Sequence, residues 1–495
     1  MKKTRFIIPV LILAAGLSAC GQNSAAANTT PETKEEYVEK REELAADNDY
    51  QTSVTLSEAE KKADAALTEM KTAYLLSCDG KVPYDMPVLK DQNIWKSDLY
   101  QFCMDLPKGS DLHIHGLAIL PMEDLVDFVV SRPELMIVTD GETKYKLVCH
   151  ENAKDAAENE MPLKEALDKG ILDRDEVIRN WSLLGFEGGI DVWEWFERLF
   201  DAHTALGGTN DLVEAYYTES FRYCCAHNVM HLESRELFFG SHEEAKARAE
   251  AIRKAYYKVR DEYPDFVCSI VGAGLKRTSL DPALTDTLID NALYVYENVK
   301  DEYTPGEVHD FLVGIDLVNE EDDSRPLWEY AEMINKIRSD YPDLIFPLHA
   351  GETLYASSDN VIDADLLHAE RIGHGINLYR YPEVLEDMKN SGTCVEVCPI
   401  SNQILGYVKD LRSHPATEYM KRGLPITLAS DDPAYEEHTE LVDDFFAAIV
   451  CWDLNLDEVK QLCLNSIQYS GLDDVQKKRL QENWEKEWSR FISTF

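Results

Sequence analysis

The sequence predicts an α/β fold: a (β/α)8 TIM barrel with an N-terminal helical extension and an inserted subdomain after the first strand. Three observations predict it. Eight short apolar runs, at 111–115, 229–235, 266–272, 311–318, 344–349, 371–374, 394–399 and 425–430, are separated by stretches with helical patterning; this is the alternation of a chain that lays parallel strands between helices. Most of the runs are continuously apolar, as strands covered on both faces must be. Four of them close on polar clusters, His113-Ile114-His115, His349-Ala350-Gly351-Glu352, Gly373-His374-Gly375 and Asp431-Asp432-Pro433. The C-terminal ends of the strands are where this barrel collects its chemistry.

Along the chain, Lys2, Lys3 and Arg5 precede an apolar run from 6 to 17 and then Leu17-Ser18-Ala19-Cys20-Gly21. The run is too short to span a bilayer, and small residues lead up to a cysteine. The segment 1–20 resembles a bacterial lipoprotein signal peptide. It implies a lipidated Cys20 and a mature chain outside the cytoplasm, held to a membrane by that anchor alone. Residues 21–34, rich in Asn, Ala and Thr, read as a flexible tether. From 35 to 105 the Glu, Lys, Ala and Leu content predicts helices outside the barrel.

The barrel is expected over 106–495, with more than a hundred residues between its first two strands. An inserted subdomain at about 120–190 fills part of that gap, with a hairpin around Asp140-Gly141 and a helix at 163–169. In the tail, Leu480, Trp484, Trp488 and Phe491 recur at helix spacing, the pattern of a packed stripe.

The charge balance, 92 acidic against 49 basic residues, opposes binding to nucleic acid and favours a neutral or cationic small ligand. The cysteines form no zinc-ribbon spacing, and Cys268, Cys394 and Cys398 read as buried thiols within apolar runs.

Side chains alternate along a strand, so His113 and His115 share a face and can share one metal. A lone His-x-His is also met as two satisfied core histidines. Together with His349 and Asp431 on later strand ends it becomes a mixed nitrogen and oxygen site suited to Zn2+, with a position left for water. Glu352, three residues beyond His349, can move a proton on a substrate. His374 can orient the activated water or accept its proton.

In order, Pro107-Lys108-Gly109, His113-Ile114-His115, Gly314-Ile315-Asp316-Leu317, His349-Ala350-Gly351-Glu352, Arg371-Ile372-Gly373-His374-Gly375, Cys398-Pro399-Ile400-Ser401-Asn402 and Ser430-Asp431-Asp432-Pro433 resemble the adenosine deaminase family. The longer match is to its secreted branch, the adenosine deaminase-related growth factors. The resemblance implies one zinc per chain on His113, His115, His349 and Asp431. It also implies Glu352 as the acid at purine N1, His374 as the residue that orients the hydroxide, and Asp432 as the partner of N7 and of the hydroxide. It places the backbone of Gly314 at N3 and Trp193 in the nucleoside pocket, and it implies a homodimer through the N-terminal helices. The implied reaction turns adenosine, and 2′-deoxyadenosine, into inosine and ammonia. For Glu233 and Arg235, which match a family Glu-x-Arg, an internal salt bridge is the expected role.

Two places depart from the family pattern. Gly116 and Leu117 stand where most relatives carry an acid, and Gly274-Leu275-Lys276-Arg277 stands where the secreted branch has a His-Arg pair. Both fall where sugar recognition is expected. A same-fold metal-dependent deaminase or amidohydrolase for a modified purine, and a nucleoside-binding protein without catalysis, are the competing functions. His368-Ala369-Glu370 matches a cytidine-deaminase zinc motif but lacks the Pro-Cys-x-x-Cys partner that site needs.

Overall fold

The computed structural model describes residues 33–495 apart from 47–48, 79–93, 140–144, 152, 187, 189–190 and 356. The lipidation call at Cys20 and the hairpin turn at Asp140-Gly141 therefore lie outside the described residues. The chain divides into two compact units, Met1–Asp49 and Tyr50–Phe495. The first holds the helix Lys34–Ala46. At its start the Glu36 amide donates to the Thr33 hydroxyl (3.1 Å), and the Thr33 amide donates to the Glu36 carboxylate (3.3 Å).

In the second unit eight parallel strands form the barrel. They are β1 (Gly109–His115), β2 (Val229–Glu236), β3 (Val267–Leu275), β4 (Leu312–Val318), β5 (Pro347–Ala350), β6 (Arg371–His374), β7 (Cys394–Val397) and β8 (Ile426–Leu428). Each falls on one of the eight runs read from the sequence. They pair as two parallel half-sheets, β1 to β4 and β5 to β8. Two short seams join the halves. At one, the Ile315 amide donates to Ile345 O (2.9 Å) and the Ile345 amide to Val313 O (3.1 Å). At the other, the Asp431 amide donates to His113 O (2.8 Å) and the His115 amide to Asp431 O (3.1 Å). Closure removes the exposed sheet edges and sets Asp431 beside the two histidines of β1.

Helices occupy the intervals between strands. Ser241 caps Glu244 at the start of His242–Arg260, Asp281 caps Pro282–Asn298, and Gly392 and Gly423 end two helices in the left-handed conformation. After β1 the chain runs through Met122–Val130 into a small antiparallel sheet, Leu135–Val138 between Leu147–Cys149 and Glu160–Pro162. The helix Leu163–Asp168 follows. The third strand of this sheet has three residues, too few for a periodicity to register in sequence.

The helix Glu58–Ser77 joins the C-terminal helices. Its Glu60 accepts from Lys460 Nζ (2.5 Å) and Trp488 Nε1 (2.8 Å), and Lys71 Nζ donates to Leu454 O (2.6 Å). Leu480, Trp484, Trp488 and Phe491 are all buried, with the two indoles stacked at 5.0 Å, so the tail stripe is core. Cys268, Cys394 and Cys398 are buried thiols.

Candidate metal centre and active site

The polar clusters meet at the C-terminal mouth of the barrel. Ligand atoms of His113, His115 and His349 lie within 4.8 Å of one another, and so do those of His115, Asp431 and Asp432. Asp431 Oδ1 stands 3.3 Å from His115 Nε2 and 3.6 Å from His113 Nε2. Gly373 on β6 is required here because an added Cβ would come within 2.8 Å of the His113 ring. Two non-glycine residues of the site, His374 (φ +65°) and Asp431 (φ +63°), take left-handed backbone conformations, a strain tolerated where the surrounding fold over-determines the geometry.

Two carboxylates stand behind the imidazoles. His113 Nδ1 is 2.8 Å from Glu396, and His349 Nδ1 is 2.7 Å from Asp316, which also accepts the His349 amide at 2.9 Å. A carboxylate can only accept, so each Nδ1 carries the proton and each Nε2 presents a bare lone pair. His113 Nε2 is buried with no hydrogen-bond partner among the described residues, as a metal ligand's nitrogen would be.

The carboxylates are themselves held. Arg235 donates to Asp316 (2.7 Å) and to Glu396 (2.5 Å), and Arg371 donates to Glu396 and Glu233. The expected internal salt bridges of Glu233 and Arg235 are thus made with other strands, and not with each other. All five side chains are buried. Such a network is stable only while every charge stays matched.

The protonation states follow from burial. Burial pushes the Glu352 carboxyl well above the usual carboxylate range, and the charges of Asp431 and Glu321 add to this. Glu321 also fixes this loop by accepting the amides of Gly351 (2.7 Å) and Glu352 (3.2 Å). Asp432 is raised by burial and by Asp431. Burial drives His374 down to about 3, which leaves it neutral. Asp431 is buried too, yet its bond to His115 and the nearby imidazoles hold it well below its ordinary value. Cys398 reaches the same cluster, and burial raises its thiol. Three imidazoles, one carboxylate, and carboxylates orienting two of the rings fit a zinc ion.

His113, His115, His349, Asp431, Asp432, Glu352 and His374 are therefore gathered at one place. Trp193 begins the helix Val192–His203 and donates from Nε1 to Tyr407 OH at 2.8 Å. Burial raises that phenol, and Tyr407 stands near enough to Glu352 for a charge there to raise it further, so Trp193 lies beside the site. Gly314 is not gathered with the others. It sits in the middle of β4 against Ile345, whose carbonyl would lie 2.8 Å from an added Cβ. The residue that ends β4 at the mouth is Asn319, with φ +104° and Nδ2 at 3.3 Å from Glu197. Gly116 has a local cause: Tyr217 OH and the Glu236 carboxylate fill the space of a side chain there. Glu370 of the His368-Ala369-Glu370 match pairs with Arg338 at 2.5 Å.

Sequence reasoning missed Glu396, Asn402 and His414 as parts of the site. A charged residue inside the apolar run Cys394-Val395-Glu396-Val397 was the available signal for Glu396.

The family model described as adenosine deaminase matches residues 191–487. Adenosine deaminase 2-A of Danio rerio is 29% identical over 89% of this chain and 90% of its own length. Adenosine deaminase 2 of Sus scrofa is 28% identical over 98% of each. Among solved structures, the N6-methyl-AMP deaminase of Arabidopsis thaliana superposes with a TM-score of 0.56 at 18% identity, covering 78% of this chain and 98% of that one. An amidohydrolase from Burkholderia ambifaria with bound Zn gives 0.58 at 18% identity, covering 80% and 94%. At these identities the structures show the shared barrel fold.

Proposed function

The chain belongs to the adenosine deaminase family, and on that premise we propose that it is a zinc-dependent enzyme that hydrolyses adenosine, and 2′-deoxyadenosine, to inosine and ammonia. The observation that carries this reading is one constellation at the barrel mouth: His113, His115, His349 and Asp431 around a common point, with the buried Glu352, its carboxyl pushed toward the protonated form, beside them. These four residues would hold one zinc ion. When bound, the metal lowers the pKa of a coordinated water and so makes a nucleophile available at neutral pH.

The protein's own groups do the rest. Glu352 gives its proton to purine N1, which draws electrons from C6 and opens that carbon to attack. His374 Nε2 stands 3.7 Å from Glu352 and 3.8 Å from Asp431, so an oxygen atom seated to one side of these groups could meet all three. Asp432, buried and raised, faces the same space and serves as the partner of purine N7. Trp193 covers the nucleoside from the rim. Ammonia leaves from C6 as the tetrahedral carbon collapses.

The N-terminal signal-like segment supports an extracytoplasmic, lipid-anchored enzyme, and the helix-forming composition of 35–105 supports a homodimer built through that segment. In this proposal 106–495 is the catalytic barrel and about 120–190 its inserted subdomain. A modified purine is the second reading. It is favoured by the packed Gly116 and by Lys276, a buried lysine at the end of β3, both in positions where sugar recognition is expected.

The test is the conversion of adenosine, 2′-deoxyadenosine, adenine, AMP and N6-methyladenosine to their 6-oxo products by the metal-restored chain, with release of ammonia, or of methylamine from N6-methyladenosine, beside Glu352→Gln. Adenosine activity that collapses in the variant is expected. Activity confined to the modified base would replace the first reading by the second.

A further inference from the structure

Behind His374 runs a buried chain of hydrogen bonds that ends on a backbone amide. The Ala416 amide donates to His414 Nδ1 at 3.1 Å; His414 Nε2 is 3.1 Å from Asn402 Oδ1; and Asn402 Nδ2 is 3.1 Å from His374 Nδ1. His374, Asn402 and His414 are all buried. A backbone amide can only donate, so His414 Nδ1 must be a lone pair and its proton must sit on Nε2. That proton needs an acceptor, which fixes the Asn402 carbonyl toward His414 and its amide toward His374. An amide NH2 can only donate, so His374 Nδ1 must in turn be a lone pair. The polarity set by one peptide bond is thus passed through two side chains.

We propose that Asn402 and His414 are positioning residues that lock His374 as the neutral tautomer protonated on Nε2, so that His374 donates a hydrogen bond to the attacking oxygen and is not its base. Nε2 faces Glu352 at 3.7 Å and Asp431 at 3.8 Å with its proton already in place. To take up another proton on Nδ1, the ring would have to set an N–H against the Asn402 amide. The proton shed by the attacking water therefore leaves for Glu352, which has by then given its own proton to the purine. This rests on the deaminase reading above for its consequence, whereas the tautomer itself does not.

The direct test is neutron diffraction from crystals of the perdeuterated, zinc-loaded protein. Deuterium on Nε2 of both His374 and His414, with none on His374 Nδ1, is expected. Deuterium on His374 Nδ1 overturns the proposal, whether or not the protein deaminates adenosine. The kinetic arm is Asn402→Asp, which keeps the shape but offers His374 only acceptors, so its proton moves to Nδ1 and Nε2 loses its donor. The expected result is a fall in kcat of about a hundredfold, with KM within a fewfold and zinc content unchanged. A variant that folds, binds zinc and keeps its kcat also overturns the proposal. If the variant does not fold, the neutron experiment on the unaltered protein decides.

Discussion

Replacing Asp316 by Asn keeps the shape of the side chain and removes the charge on which His349 depends. The carboxylate takes four donors: His349 Nδ1 (2.7 Å), the His349 amide (2.9 Å), Arg235 Nε (2.7 Å) and the Leu317 amide (2.6 Å). In Asn the carbonyl can stay with the two backbone amides, but its NH2 then faces two donors, His349 Nδ1 and Arg235 Nε. The His349 ring relieves one clash by moving its proton to Nε2, the nitrogen that must be bare to bind a metal. Loss of such an orienting carboxylate typically costs 10- to 100-fold in metal affinity, about 1.4–2.7 kcal/mol. A broken buried ion pair costs about 3–5 kcal/mol of fold stability, and here the loss is smaller because Arg235 keeps Glu396 at 2.5 Å. The assay is zinc competition against a chromophoric chelator, with thermal unfolding of the metal-free protein alongside. Unchanged zinc affinity in a folded Asp316→Asn protein would refute the claim that Asp316 sets the His349 tautomer.

Glu352→Gln should abolish deamination and also stabilise the metal-free fold. A carboxyl whose folded pKa is raised costs stability at every pH above its unfolded value, and Gln removes that cost; a lower Tm in the variant would count against a buried, protonated Glu352. Asp316 shifts the opposite way, because His349 and Arg235 hold it down against its burial. Its stabilisation is therefore present above the ordinary carboxylate range and lost progressively as the pH falls below that range toward the depressed folded value. Asp316→Asn has no such carboxyl to protonate, so the metal-free variant, less stable at neutral pH, should lose stability less steeply as the pH drops below that range; an equally steep loss would refute this. Trp193→Phe deletes the bond to Tyr407, and about 0.5–1.5 kcal/mol for such a bond predicts a KM for adenosine raised severalfold at nearly constant kcat. An unchanged KM would remove Trp193 from the nucleoside pocket.

The barrel was legible because its strands are buried on both faces and so advertise themselves as apolar runs. The candidate metal ligands were legible because His and Asp at the ends of such runs have few other uses. What escaped the sequence depends on pairing between strands. Glu233 and Arg235 are two apart on β2, yet their partners, Arg371 on β6 and Asp316 and Glu396 on β4 and β7, become neighbours only when the sheet closes. Asn402 and His414 look like ordinary loop and helix-start residues until the His374 ring is placed beside them. Gly314 shows the converse error: a motif match carried a role to a residue that the strand register puts below the mouth, while Asn319 ends the strand. The boundaries of β5 also shifted by register, since Ile345 reaches back to bridge β4 before the strand proper begins at Pro347.

The most direct test of the central claim is a zinc titration of the metal-stripped chain, with ammonia release from adenosine measured at each addition. The account predicts no release without metal and a linear rise that breaks at one equivalent per chain, together with no tight zinc binding and no release in His115→Ala. A chain that binds one zinc through His115 and still releases no ammonia from adenosine would contradict it.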